Sequence, residues 1–335
     1  MSALAVDVLG RVVAVAAPPS VLRQLRVALA DLGTTDGNAD RQLTLSPNKH
    51  GFDLRDDGRV VRRGLDPSVA SATVVWRLNA IASESTAHVL LHAACVAGRL
   101  GGGVVLIGGS GAGKSTLTAA CVAGGLTYVS DELAAVDVRT GCLMPYPKPL
   151  CLDRERLVRG SSLGAVAAHQ RMPAALVFAR YERGARLTAT RLDGAWTLLA
   201  LAAHATNLAA LGRTALTWLA GLAHGQPAWQ LTYGDTREAV PVVQRAAAGP
   251  GRPAVPAEIL PAIAGNTTTV AVDDGLAVLH EPTGKVHLLN ATAADVWREA
   301  TGVATTATGT VDRAMAAATV DELVRAGLLS GADGT

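Results

Sequence analysis

The 335-residue chain is poor in aromatic side chains, 3% against 49% hydrophobic residues overall. A core must therefore be built from closely packed Ala, Val and Leu. Its charges nearly cancel, leaving a formal +2, which gives no electrostatic footing for nucleic acid or an anionic membrane. The four cysteines, Cys95, Cys121, Cys142 and Cys151, contain no C-x-x-C pair. That excludes a disulfide framework or zinc ribbon and predicts reduced thiols in a cytoplasmic protein. The opening Met-Ser-Ala-Leu-Ala-Val-Asp has no basic n-region and no long apolar run, so no signal peptide is expected. Between Gly194 and Gly225 the apolar run is broken by His204, Asn207 and Arg213. Two Ala/Leu helices in a soluble fold are expected there rather than a membrane span.

The length suits one large domain and one small one. Residues 1 to about 80 read as a mixed segment, with a strand over 12–17, a helix over 20–32 and a polar loop over 34–42. His88–Ala97 and Gly103–Ile107 are apolar runs split by Gly101-Gly102-Gly103, a hairpin pattern. A helix then runs to Gly124-Gly125, and a strand resumes at 126–129. The Ala-, Gly- and Pro-rich stretch around 246–257 reads as a linker. Beyond it, short alternating runs separated by Asp273-Asp274-Gly275 and Glu281-Pro282-Thr283-Gly284 predict three strands. Asn290 caps a helix over 291–300, and a last helix over 320–326 stops at Gly327.

Gly108-Gly109-Ser110-Gly111-Ala112-Gly113-Lys114-Ser115, followed by Thr116, satisfies G-x-x-x-x-G-K-[ST] between a strand and a helix. Glycines let successive N–H groups turn inward on phosphate oxygens, and the helix N-terminus adds partial positive charge. Lys114 is placed for the β and γ phosphates, and the Ser115 hydroxyl for Mg²⁺. The cofactors expected are ATP, or another nucleoside triphosphate, and Mg²⁺. Asp131 and Glu132 follow at the end of the next strand. One carboxylate there can hold the metal while the other takes a proton from an attacking hydroxyl. Lys148, Arg154, Arg156 and Arg159 read as solvated charges on a polar loop and helix start.

The run from His92 through this loop to Ser130-Asp131-Glu132 resembles the HPr kinase/phosphorylase family. The resemblance continues more weakly through Pro145–Leu150 and Leu231–Gly234, over roughly residues 75–245. It implies an α/β fold, a P-loop kinase core of the HPr-kinase type with a mixed sheet. It also implies that His92, which alone reads equally as a core histidine, lies near the transferred phosphoryl group. The catalytic set implied is Asp131, Glu132, His92 and Lys114, with Ser115 and Asp131 on the metal. Glu132 stands where the family has a second Asp, which leaves the base and the metal ligand unassigned. The family's glycine-rich signature for reversal by phosphate is not found.

Residues 258–332 resemble PqqD proteins through Asp274-Gly275-Leu276, Leu288–Trp297 and Glu322–Leu329. The resemblance implies a small α+β, winged-helix-like domain that binds the leader of a ribosomally made precursor peptide by strand addition. Val286, His287, Leu288, Leu289 and Leu323 would form that site. DNA binding is disfavoured, since four basic residues face ten acidic ones from Glu258 onward. The expectation is a kinase for a Ser or Thr hydroxyl of the precursor, with 1–245 as the kinase part (1–80 opening it, 81–245 its core). It expects no nucleic-acid or membrane partner, further biosynthetic enzymes as partners, and a homo-oligomer as an option. The alternatives are a nucleotide-binding chaperone delivering the peptide to a partner enzyme, and a kinase for a carrier protein or free amino acid.

Overall fold

The computed structural model describes residues 3–35, 37–152, 156–260, 266–300, 313–326 and 328. The opening segment is a sheet of β1 (Ala3–Val8), β2 (Arg11–Ala16), β3 (Arg41–Asn48), β4 (Gly51–Asp56) and β5 (Arg59–Leu65), in that order. Helices α1 (Pro19–Ala28) and α2 (Pro67–Ala82) pack on it. Asp66 caps α2 by accepting from the Ser68 N–H at 2.8 Å, with Pro67 opening the helix. The expected helix over 20–32 ends earlier, at Ala28, and a 3-10 turn carries the chain to Leu32.

The expected run His88–Ala97 divides at His92 into β6 (His88–Leu91) and β7 (Ala93–Ala97). β7 forms the predicted hairpin with β8 (Gly102–Ile107), then helix α3 (Lys114–Ala123) and strands β9 (Thr127–Ser130) and β10 (Ala134–Asp137) follow. β6 pairs instead with β10, which also holds β11 (Leu143–Met144). β12 (Leu150–Leu152) and β13 (Arg156–Val158) make a small hairpin. β14 (Met172–Tyr181), β15 (Thr188–Arg191) and β16 (Ala228–Tyr233) complete a mixed sheet ordered β15-β16-β14-β8-β7-β9. β14 is parallel to both β8 and β16.

Every residue of β7 and β8 is buried, because both faces of the central sheet are covered. Ala94, Val96, Val104 and Leu106 join α3 and α7 (Thr236–Ala246) in one cluster. Their sequence neighbours Cys95, Ala97, Val105 and Ile107 join α4 (Gly194–His204) and α6 (Arg213–Gly225) in another. A single-turn helix, α5 (Leu208–Leu211), links those two. Cys95, Cys121 and Cys142 are buried free thiols. Among the described residues no helix is long and apolar enough to cross a membrane.

The 246–257 connection is pinned along the core rather than free. Arg252 N–H donates to Pro173 O at 3.0 Å, Ala254 N–H to Gly141 O at 2.9 Å, and Ala257 N–H to Thr217 O at 2.8 Å. Glycine allows that approach on both sides: Gly251 has no room for a Cβ beside the Met172 carbonyl, nor has Gly221 of α6 where the Val255 carbonyl passes. The chain continues as an antiparallel sheet β17 (Ile259–Leu260), β18 (Thr267–Val272), β19 (Gly275–His280) and β20 (Lys285–Leu289), then α8 (Ala291–Ala300) and α9 (Arg313–Arg325). β17 adds a fourth strand to the three expected, and α9 starts before position 320. Asn290 accepts from the Ala293 N–H at 2.9 Å, as its capping role required. Gly327, the expected stop, lies outside the described residues. Strand alternation splits this sheet's side chains: Ala277 and Leu279 join the α4/α6 cluster, while Leu276 and Val278 pack with Trp297 and Leu323.

Candidate phosphate and acid site

Glycine is required at two loop positions for conformation and at two for space. Gly111 and Gly113 hold φ of +80° and +82°. A Cβ on Gly113 would also meet the Tyr233 hydroxyl at 2.7 Å, and one on Gly108 the Ala179 carbonyl at 2.7 Å. The loop therefore wraps tightly between β8 and the first turn of α3. Ser110, Gly111 and Gly113–Thr116 line a cavity of about 550 Å³ together with His92, Glu132 and Cys151. The Lys114 ammonium, largely buried, donates to Gly108 O at 2.7 Å and Gly109 O at 2.9 Å, and lies 3.2 Å from His92 Nε2. Burial pushes the Lys114 pKa down, against the pull of Asp131 and Glu132. Burial first, and then the Lys114 charge, push His92 down as well, so its imidazole is neutral near pH 7.

His92 reaches the site because the strand breaks there. Its N–H leaves the sheet ladder and donates to the His204 carbonyl at the end of α4, at 2.7 Å. The sequence resemblance grouped His92, the loop and both acids. The fold sets His92, the loop and Glu132 around one cavity, with Asp131 behind its Ser115 wall.

The two acids occupy different environments. Asp131 is fully buried, and the Ser115 hydroxyl lies 3.0 and 3.1 Å from its two carboxylate oxygens. Burial pushes the Asp131 carboxyl up, while Lys148, the Ser115 hydroxyl and Lys114 oppose that rise. Glu132 lines the cavity with a side chain 40% exposed, on a left-handed backbone at φ +67°. Such a conformation costs a non-glycine residue roughly 1–3 kcal/mol and is kept where surrounding structure enforces it. A hydroxyl and a carboxylate are hard oxygen donors that suit Mg²⁺ when phosphate and water complete its shell. Among the described residues no group of three or more His, Cys, Asp or Glu is arranged to hold a metal by itself.

Lys148 corrects the sequence reading. It is 1% exposed and its ammonium stands 2.9 Å from Glu132 Oε2, so it is no solvated loop charge. Arg156 opens strand β13 rather than a helix, and Arg154 lies outside the described residues. Position alone hinted at Lys148: it sits among three prolines just downstream of the acids, where an extended chain can run beside β9.

In the C-terminal sheet, β20 is the edge strand beyond β19. Val286, His287 and Leu288 are half-buried, with Val286 and Leu288 packed toward the α4/α6 cluster. Leu289 and Leu323 are core residues under α8, so they support the sheet rather than offering a contact surface.

The fold and site together define a mixed α/β protein carrying a tightly wrapped G-x-x-x-x-G-K-S loop beside two unlike carboxylates. No family model and no curated protein matches the chain. Among solved structures, the HPr(Ser) kinase/phosphatase from Coxiella burnetii is similar with a TM-score of 0.30 and 11% identity, over 48% of this chain and 93% of that one.

Proposed function

We propose that this chain is an ATP-dependent kinase that phosphorylates a Ser or Thr hydroxyl of a ribosomally made precursor peptide. The observation that carries the reading is the pairing of half-buried Ser115 and buried Asp131 with a Glu132 that faces the cavity beside the glycine-rich loop. Those donors suit a metal on one acid and leave the other facing the cavity. Ser115 and Asp131 would hold Mg²⁺, which would supply charge neutralisation at the phosphates.

The loop N–H groups and Lys114 orient the triphosphate, and neutral His92 accepts a hydrogen bond from Lys114. The acceptor hydroxyl oxygen bonds to the γ-phosphorus as the bond from phosphorus to the β–γ bridging oxygen breaks. The hydroxyl proton passes to the Glu132 carboxylate, and the nucleoside diphosphate leaves. Residues 1–245 would carry this chemistry and 258–332 would hold the peptide's leader. β20 is an end strand of its sheet among the described residues, and an end strand is where an extended leader can pair. Attachment there raises the effective concentration of the peptide's core at the kinase cavity.

The test is mass spectrometry of candidate precursors incubated with the protein, ATP and Mg²⁺. One added phosphate on Ser or Thr is expected, and its loss when the leader is removed from the precursor. Nucleotide hydrolysis with no phosphopeptide would reject the kinase reading. Transfer to a carrier or free amino acid with no leader present would reject the peptide.

A further inference from the structure

We infer that Lys148 is the positioning residue that holds Glu132 for proton transfer, an inference that rests on the kinase reading above. The chain over 145–150 runs beside β9. Tyr146 N–H donates to Val129 O at 2.9 Å, and Tyr146 bridges Ser130 in parallel register. Lys148 N–H then bonds Tyr146 O at 2.8 Å, and the buried Tyr128 hydroxyl donates to Lys148 O at 2.6 Å. With its backbone fixed at both groups, Lys148 extends its ammonium to Glu132 Oε2 at 2.9 Å, with a weaker contact to Pro149 O at 3.4 Å.

Burying an ammonium costs several kcal/mol unless partners offset it. Lys148 pairs with the Glu132 carboxylate, and its charge also favours the ionised form of Asp131. The decisive detail is which side of Glu132 it occupies. Glu132 lines the phosphate cavity, and Lys148 does not. The ammonium therefore reaches the acid from behind and acts through it, not on the phosphates. Glutamate has three rotatable side-chain bonds, one more than the Asp beside it. The ion pair and the left-handed backbone at Glu132 together select one reach into the cavity. A misplacement of about 1 Å in such a group can cost on the order of 100-fold in rate.

The experiment compares phosphopeptide formation by the full chain and by Lys148→Met, Lys148→Arg, Glu132→Gln and Glu132→Gln/Lys148→Met. Lys148→Met is expected to lower kcat on the order of 100-fold with KM for ATP little changed. Lys148→Arg, which keeps the cation, should recover most of that loss. In the Glu132→Gln background Lys148→Met should cost little more, because both changes remove one function. Full additivity of the two changes, or a loss appearing in KM alone, would overturn the inference. If the unmodified chain makes no phosphopeptide, the kinase reading fails separately, and crystal structures of Lys148→Met and Lys148→Arg still decide the positioning role. A displaced Glu132 carboxylate in the first and a retained one in the second supports it; an unmoved carboxylate in Lys148→Met refutes it. Should Lys148→Met not fold, the Arg variant decides: recovered kcat with the carboxylate in place supports the role, and lost kcat with the carboxylate in place refutes it.

Discussion

Asp273, in the turn between β18 and β19, accepts a hydrogen bond from the Ala195 N–H in the first turn of α4, at 2.7 Å. Asp193 caps the same helix end through the Trp196 N–H, also at 2.7 Å. Two carboxylates thus satisfy amide groups that the helix leaves without partners, one of them supplied by the C-terminal sheet. The other end of α4 holds the His92 N–H through the His204 carbonyl. One helix therefore touches the C-terminal sheet at its start and His92, on the wall of the cavity, at its end.

Asp273→Ala should remove about 1 kcal/mol of stability, the usual worth of a helix cap. Thermal unfolding by circular dichroism should show a fall of about 2–4 °C for a unit of this size. An unchanged melting temperature would mean that the turn and α4 do not support one another.

Lys114→Met should weaken nucleotide binding by roughly 10–100-fold, since a charge-assisted hydrogen bond is worth about 1.5–3 kcal/mol. Titration calorimetry with ATP and Mg²⁺ checks this directly. Equal affinity in both proteins would remove the lysine from the phosphate site.

Glu132→Gln should lower the transfer rate by about 10²–10⁴, the range for losing a general base. Nucleotide affinity should stay near that of the unchanged chain, because the residue's proposed task begins with the acceptor. A large loss of nucleotide binding instead would exchange the roles assigned to the two acids.

Asp131→Asn should separate stability from function. The Asp131 carboxyl is raised above its ordinary 3.8 by burial, so the folded state holds its proton more tightly than the unfolded one. Stability is lost as pH rises from that value through the folded pKa. Urea titration at pH 7 should find Asp131→Asn at least as stable as the parent. Added ATP and Mg²⁺ should stabilise only the parent.

His88 should make folding acid-sensitive. Burial lowers its pKa below 6.5, against the nearby Asp137, with Arg139 adding to the fall. Its Nδ1 lies 2.9 Å from the Ser85 hydroxyl and its Nε2 4.0 Å from Asp137. The unfolded chain therefore binds the proton first, and stability declines as pH falls from 6.5 toward the folded value. His88→Asn should flatten that decline in urea titrations at pH 7.5 and 5; an identical slope would place the acid sensitivity elsewhere.

Much of the core around the phosphate loop was readable from local pattern. Alternation and glycine punctuation marked β7, β8, α3 and the later hairpin of β18 and β19, because those elements close over short sequence distances. The Asn290 cap was visible for the same reason. Composition misled at 246–257, where small residues serve close backbone contact rather than freedom. It misled again at Lys148, which is buried where the chain over 145–150 runs back beside β9 and Glu132. The break at His92 was hidden because both halves of 88–97 are equally apolar. Only the competing partners β10 and α4 pull the chain out of one sheet into two.

By itself the amino-acid order determined the phosphate loop, since Gly111 and Gly113 need left-handed backbone and the Lys-Ser pair must follow them on a helix. It also determined that two acids stand at the end of the next strand. What each acid faces was decided only by tertiary structure. Burial of Asp131 against Ser115, and the backing of Glu132 by Lys148, arise from long-range packing that removes water from one carboxylate and leaves the other open.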